Sequence, residues 1–188
     1  MIAWTRNWLP LVLLMAVVAL VAIGCNSSID DPDKSENQVT VSGAKPTEAC
    51  VDVDGELIDE DGDGTKESRV FTSFEQTIGF SSRVRAGAKG PFHDVIFTSV
   101  DIAYSMGRSA PPNRTEGVTI TVPSGGTSNH GMTTILSTDT AAGYFILGDK
   151  GWIDMTFRGK DAAGKPMTAT GRFQVRTATA CGGSGGGE

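Results

Sequence analysis

The chain has 188 residues, of which 16 are basic and 22 are acidic, for a formal net charge of −6. This length suits one folded domain with flanking segments, and the acidic balance makes nucleic acid a poor partner because its phosphates carry the same sign of charge. The 24 glycines, the many Ser and Thr residues and the scarcity of helix-forming stretches favour strands joined by tight turns.

The first 24 residues have the three-part layout of a secretory signal peptide. Met1–Asn7 is short and polar with one basic side chain, Leu9–Ile23 is almost entirely apolar, and Gly24 is small. The apolar run also fits an uncleaved membrane anchor, although about 20 apolar residues are usually needed to cross a bilayer. Both interpretations place the rest of the chain on the non-cytoplasmic side of a membrane.

The ending Val21–Cys25 resembles the lipobox of bacterial lipoproteins. The resemblance implies cleavage after Gly24 and lipidation (palmitate and related acyl chains) of Cys25, which becomes the first mature residue. Ala22 departs from the Leu that is most often found three positions before the cysteine. Asn26, standing where Asp would favour the inner membrane, implies sorting to the outer membrane. The expected location is therefore the cell envelope, on its periplasmic or surface face.

Two polar segments flank the predicted domain. Residues 25–45 contain the lipidated cysteine and a stretch rich in Asp, Ser, Asn and Lys, which we predict to be a disordered, flexible stalk because it cannot bury enough apolar surface. Residues 182–188 are Gly-rich and are predicted to be disordered as well. The folded domain is therefore placed at residues 46–181.

With Cys25 lipidated, Cys50 and Cys181 are left as an even pair in an oxidising compartment, which favours a structural disulfide. The bridge would close a loop of more than a hundred residues. The alternative is two free thiols.

Short segments of alternating or β-branched residues recur through the domain, with turn residues every 8–14 positions. Val95–Tyr104 alternates most strictly, and Asp161–Lys165 is typical of a hairpin turn between the last two strands. The pattern predicts an all-β, antiparallel two-sheet sandwich. The predicted strands are 51–53, 69–74, 81–85, 95–104, 118–122, 133–137, 143–147, 153–157 and 167–175.

The segment from His93–Ile96 to Phe173–Val175 resembles the immunoglobulin-like ectodomains of many bacterial lipoproteins. The closing pattern, Trp152–Gly159 followed by Asp161–Gly164 and Ala169–Phe173, is similar to their final hairpin. The resemblance covers about the last half of the chain and implies an immunoglobulin-like fold. Its motifs are structural, so function stays open.

A run of acidic residues spans positions 59–67. Asp59, Asp61 and Asp63 alternate, Thr65 can offer its carbonyl oxygen, and Glu67 can close a shell of oxygens around Ca²⁺, which takes six to eight of them. The pattern resembles EF-hand loops and the calcium loops of integrin-type repeats. It departs from an EF-hand at the twelfth position, Val70, and no flanking helices are predicted. A structural calcium ion is therefore predicted, and a solvated acidic turn is the alternative.

A second metal hypothesis uses His93, Met106, His130 and Met132. Imidazole and thioether ligands suit Cu(I), and their order is similar to that in periplasmic copper chaperones, which are also small β-sandwiches.

Outside the Gly-rich tail, no G-x-S-x-G motif or phosphate-binding glycine loop is present, and a hydrolase would need one of the two histidines in a cleft beside a Ser and a carboxylate. We therefore predict a non-enzymatic envelope lipoprotein that acts as a binding or structural module with a protein partner. A copper-binding or metallochaperone lipoprotein is the alternative.

Overall fold

The computed structural model describes residues 35–88, 90 and 92–181. Two β-sheets pack face to face, and a two-stranded hairpin accompanies them. The strands are β1 Asn37–Lys45, β2 Glu48–Asp52, β3 Glu56–Ile58, β4 Ser68–Val70, β5 Phe74–Val84, β6 Val95–Met106, β7 Arg114–Val122, β8 Thr127–Ile135, β9 Lys150–Asp161 and β10 Pro166–Ala178, and a short helix, α1 Ser137–Ala141, follows β8.

The first sheet has the strand order β1-β5-β8 and the second the order β2-β10-β9-β6-β7. All neighbours are antiparallel except β2, which runs parallel to β10. Seven of these strands are long. The first, second and fifth of them (β1, β5 and β8) form the first sheet, and the seventh, sixth, third and fourth (β10, β9, β6 and β7) lie side by side in the second. This distribution is similar to an immunoglobulin-like sandwich, except that constant-type domains place the fourth strand in the first sheet. The predicted all-β sandwich is confirmed, with one parallel pair at its edge.

Alternating side chains of both sheets form one core. Phe80 from the first sheet packs edge-on against Phe157 of the second, with ring centroids 4.9 Å apart, and lies 5.7 Å from Phe97. All three rings are fully buried. Edge-to-face aromatic pairs combine a large buried apolar area with a favourable quadrupole geometry, so this cluster fixes how the two sheets face each other.

The predictions of a disordered stalk at 25–45 and of a strand at 143–147 are wrong, and the single strand predicted at 69–74 is divided between β4 and β5. The stalk predicted for residues 25–45 contains strand β1, because Val39 and Val41 alternate with polar residues and the strand pairs with β5. The folded region therefore begins before residue 46. The strand predicted at 143–147 is a loop after α1, since Gly143 and Gly148 adopt positive φ angles on either side of it. The apolar residue that suggested a strand there, Phe145, is buried against Tyr104.

The predicted disulfide is present. Cys50 in β2 is bonded to Cys181, three residues beyond β10, at a sequence separation of 131. The bond joins neighbouring strands of one sheet.

Among residues 35–88, 90 and 92–181 there is no helix long and apolar enough to cross a membrane. The predicted signal peptide and the predicted lipidation site, Cys25, lie outside the described residues.

Replacing both cysteines with serine should lower the free energy of unfolding by about 2–5 kcal/mol, because the unfolded chain regains the freedom of a very long loop. Urea unfolding of the double variant measures this. Either single variant should lose as much as the double one, and the wild-type protein in reductant should match them. A loss below about 1 kcal/mol in all three would contradict a stabilising role.

Replacing Gly159 of β9 with alanine should destabilise the protein by about 1–3 kcal/mol, because a new methyl group must push the neighbouring strand aside. At a bulge in β6, the Ile96 carbonyl oxygen lies far inside contact distance of the point where that methyl carbon would sit. Gly117→Ala in β7 is the matched control, since its methyl would meet nothing within 4 Å. Thermal unfolding of both variants provides the comparison, and equal midpoints would contradict the close approach.

Candidate metal site

The acidic run forms the tip of a hairpin that stands between β2 and β5. Strands β3 and β4 pair over only three residues each, Glu56 with Val70 through Ile58 with Ser68. We call residues 52–70 the acidic arm. It holds eight acidic and two basic side chains, a formal charge of −6 that equals the net charge of the whole chain. At its base, the Arg69 guanidinium donates a hydrogen bond to the Asp54 carbonyl oxygen.

The tip is shaped by carboxylates that accept hydrogen bonds from the loop's own backbone. The two carboxylate oxygens of Asp59 accept the N–H groups of Gly62 and Gly64, both at 2.7 Å. Both glycines have positive φ, 79° and 92°, a region that side chains with a Cβ rarely adopt. Asp61 and Asp63 each accept the N–H two residues on, from Asp63 at 3.1 Å and from Thr65 at 2.7 Å. The chain therefore wraps around its own carboxylates.

This wrapping brings four of the predicted ligands together. Asp59, Asp61, Asp63 and Glu67 each offer an oxygen, and these oxygens all lie within 4.8 Å of one another. Such a group of hard oxygen donors could hold a metal ion. Asp59 is half-buried and the other three are exposed, so the site would open to solvent. Thr65 lies within the same loop, and the twelfth position, Val70, is part of β4 and so differs from the helix that follows an EF-hand loop.

The four proposed copper ligands do not form one site. His93 lies just before β6 and Met106 is the last residue of that strand, so about 40 Å of extended backbone separates them. His130 and Met132 lie in β8 of the other sheet, where Met132 is buried in the core. The copper hypothesis is therefore wrong as a four-residue site. The strand predicted at 95–104 already implied that the first two residues lie far apart.

A second polar cluster, around Arg114, escaped the sequence analysis. The half-buried guanidinium donates to the carbonyl oxygens of Thr133 and Thr134, at 3.2 and 3.1 Å, and so ties β7 to β8 across the open side of the sandwich. It also contacts the Tyr104 hydroxyl, which donates to the Thr134 carbonyl at 2.6 Å, and forms a 2.6 Å ion pair with Glu116. The donors in this cluster find their acceptors within it, so the cluster's role is structural.

Comparisons with known proteins give a distant structural similarity. No protein-family model matches this sequence, and no curated protein matches it. Among solved structures, the chain is similar to the X-ray structure of Northeast Structural Genomics Consortium target SoR45. The two share 12% sequence identity with a TM-score of 0.44, and the alignment covers 82% of this chain and 97% of that one.

Burial raises the pKa of Tyr104 to about 12, while the neighbouring Arg114 partly opposes the shift. The folded protein thus holds the phenolic proton more tightly than the unfolded chain, whose tyrosine pKa is about 10. This contribution to stability is fully present below about pH 10 and should disappear as the pH rises towards about 12. The variant Tyr144→Phe leaves Tyr104 as the single tyrosine. Its phenolate absorbance should rise with a midpoint well above pH 10, and a midpoint at about 10 in the folded protein would contradict the raised pKa.

Proposed function

We propose that this protein is a non-enzymatic, lipid-anchored module of a bacterial cell envelope, whose acidic arm binds Ca²⁺ and presents a surface to a protein partner. The observation that carries the proposal is the convergence of four carboxylates at the tip of a hairpin. These groups stand on a projecting hairpin, where a cation has room for water ligands, and they do not line a cleft of the kind that encloses a substrate.

Calcium is the cation that best fits this donor set. It accepts six to eight oxygens in flexible geometry, and carboxylates, backbone carbonyls and waters can all contribute from one loop. Magnesium requires near-ideal octahedral geometry and gives up its waters reluctantly. A largely exposed site supports the weak, millimolar affinity of extracellular calcium modules. The ion would be structural, since a two-stranded hairpin is marginally stable by itself and four close carboxylates repel one another.

The envelope location is supported by the sequence at Cys25 and by the disulfide. A bond between Cys50 and Cys181 suits an oxidising compartment outside the cytoplasm. Strand β1 begins twelve residues after Cys25, which limits the distance between the lipid and the sandwich to about 40 Å of extended chain. The lipid-anchored domain would therefore stay close to the membrane surface.

The protein partner is supported by the composition of the arm. Leu57 and Val70 are large apolar residues that the arm exposes beside its charges, and mixed apolar and polar surfaces of this kind are typical of protein–protein contacts. A fixed calcium loop would hold them in one arrangement and so lower the ordering cost of binding.

Calcium should raise the thermal midpoint of the protein produced from residue 26 onwards, because an ion that binds only the folded state stabilises it by mass action. At a hundred times the dissociation constant the gain is about 2.7 kcal/mol. Asp61→Asn should abolish the shift. Glu60→Gln is the matched control: it removes the same charge from the same loop, but Glu60 is outside the cluster and accepts a hydrogen bond from Ser68.

The result that contradicts the calcium site is the absence of any shift, or an equal loss in both variants, since equal losses would indicate general screening of the arm's charge. Magnesium at the same concentration should shift the midpoint less than calcium does. Titration after treatment with a chelator sets the metal-free baseline.

A further inference from the structure

The end of the sandwich where the chain enters is well defined. The Asn37 side chain, at the start of β1, donates to the His93 carbonyl oxygen and accepts the Ser124 hydroxyl at 2.9 Å. The Ala162 N–H donates to the Asp94 carbonyl oxygen at 3.0 Å. Three connections thus meet around the first residue of β1. We call this end the entry rim; its described members are residues 83–85, 92–96, 123–126 and 160–165.

The entry rim exposes large apolar side chains. Val84, Phe92 and Ile96 are 36%, 47% and 38% exposed, and they come from the end of β5, the loop before β6 and the start of β6. Of the eight large apolar residues exposed in the described part of the chain, these three lie at the entry rim, and the other five lie in the acidic arm or towards the opposite end of the sandwich. Large apolar side chains exposed on one loop and two strand ends are a feature of interaction surfaces.

Basic side chains are also exposed in the entry rim. Arg83, Arg85 and Lys160 are exposed, and Lys165 is half-exposed. The rim has two acidic members: Asp94, whose carboxylate accepts the Ser124 N–H at 3.0 Å, and Asp161, which is buried and accepts the N–H groups of Ala163 and Lys165. Glu36 lies next to the rim. The solvent-facing side of the rim is therefore mainly basic and apolar.

The acidic arm lies at the opposite end. Strand β5 begins at Phe74, next to the arm, and ends at Val84 in the entry rim, so its eleven residues place about 35 Å between them. Strand β2 leads into the arm from the same far end, where the Val53 N–H donates to the Ala178 carbonyl oxygen. The molecule is thus electrically polarised along its strands, with a formal charge of −6 on the arm at the far end and basic groups at the end where the N-terminal segment joins.

We propose that the entry rim docks on an anionic phospholipid surface beside the lipid on Cys25; this inference rests on the proposed lipid anchor. Phe92, Val84 and Ile96 would enter the interfacial layer, and the basic side chains would contact lipid phosphates. The tether of twelve residues holds the rim at high effective concentration near the surface. Repulsion between the membrane and the acidic arm turns the arm outwards, towards calcium and a partner.

The mature lipidated chain provides a clean reporter, because Trp152 is its single tryptophan once residues 1–24 are removed. In a Trp152→Phe background, Phe92→Trp places the reporter on the entry rim. Leu147→Trp is the matched control, since Leu147 is 50% exposed and its carbonyl oxygen accepts a hydrogen bond from Arg108, just beyond β6 at the far end. Both lipidated proteins are reconstituted in vesicles that contain brominated acyl chains, with or without phosphatidylglycerol.

Bromine should quench the fluorescence of Phe92→Trp strongly in vesicles with phosphatidylglycerol and weakly in neutral vesicles. It should not quench the fluorescence of Leu147→Trp in either kind of vesicle. Adding Arg83→Gln, Arg85→Gln and Lys160→Gln to Phe92→Trp should reduce its quenching to the neutral-vesicle level, with the thermal midpoint as the folding control. Since each basic residue near an anionic surface changes partitioning about fivefold, three together should change it roughly a hundredfold.

Equal quenching at both positions, or none at either while the protein remains on the vesicles, would overturn the docking proposal and leave the lipid anchor intact. Protein that fails to stay on neutral vesicles refutes the anchor and the docking that rests on it. Concentration-dependent sedimentation of larger species without vesicles, lost in Phe92→Ser, would assign the rim to a second copy of the chain and also overturn the proposal.

Discussion

The contact between Phe80 of one sheet and Phe97 and Phe157 of the other is the interaction on which the rest of the structure depends. These rings fill the middle of the sandwich, where strands that are far apart in the sequence meet. With the sheets fixed in this way, β5 and β6 run the length of the molecule in defined directions. The two ends of the sandwich are then separated, and the acidic arm and the entry rim each belong to one of them.

Local pattern was enough to predict the elements whose residues alternate strongly. Val95–Tyr104 is contained in β6, the turn at Asp161–Lys165 joins β9 to β10, and Cys50 and Cys181 are bonded as the even count suggested. The convergence of the acidic residues was also predictable, because Asp59, Asp61 and Asp63 need only a tight loop, with glycines at the positive φ positions, to share a centre.

What failed depended on partners distant in sequence. Strand β1 carries only two valines among polar residues, and its place beside β5 is decided by pairing with a strand about forty residues away. The parallel pairing of β2 with β10 and the cluster around Arg114 arise in the same way, from neighbours that no short window contains. The copper hypothesis failed for a different reason. His93 and Met106 flank the segment 95–104, which local pattern already predicted as a strand, so their separation could have been predicted from the sequence.

The position of the disulfide has a mechanical consequence. A force that pulls the chain apart between Ser35 and Cys181 passes along β1 and then crosses directly from Cys50 to Cys181 through the covalent bond. The covalent path of the force therefore bypasses residues 51–180. The force acts on β1 along the strand direction. It therefore shears the hydrogen bonds between β1 and β5, which must break together and not one after another. If β1 were torn away, the slack gained would end at Cys50, and most of the sandwich, with its acidic arm, would stay folded under strain.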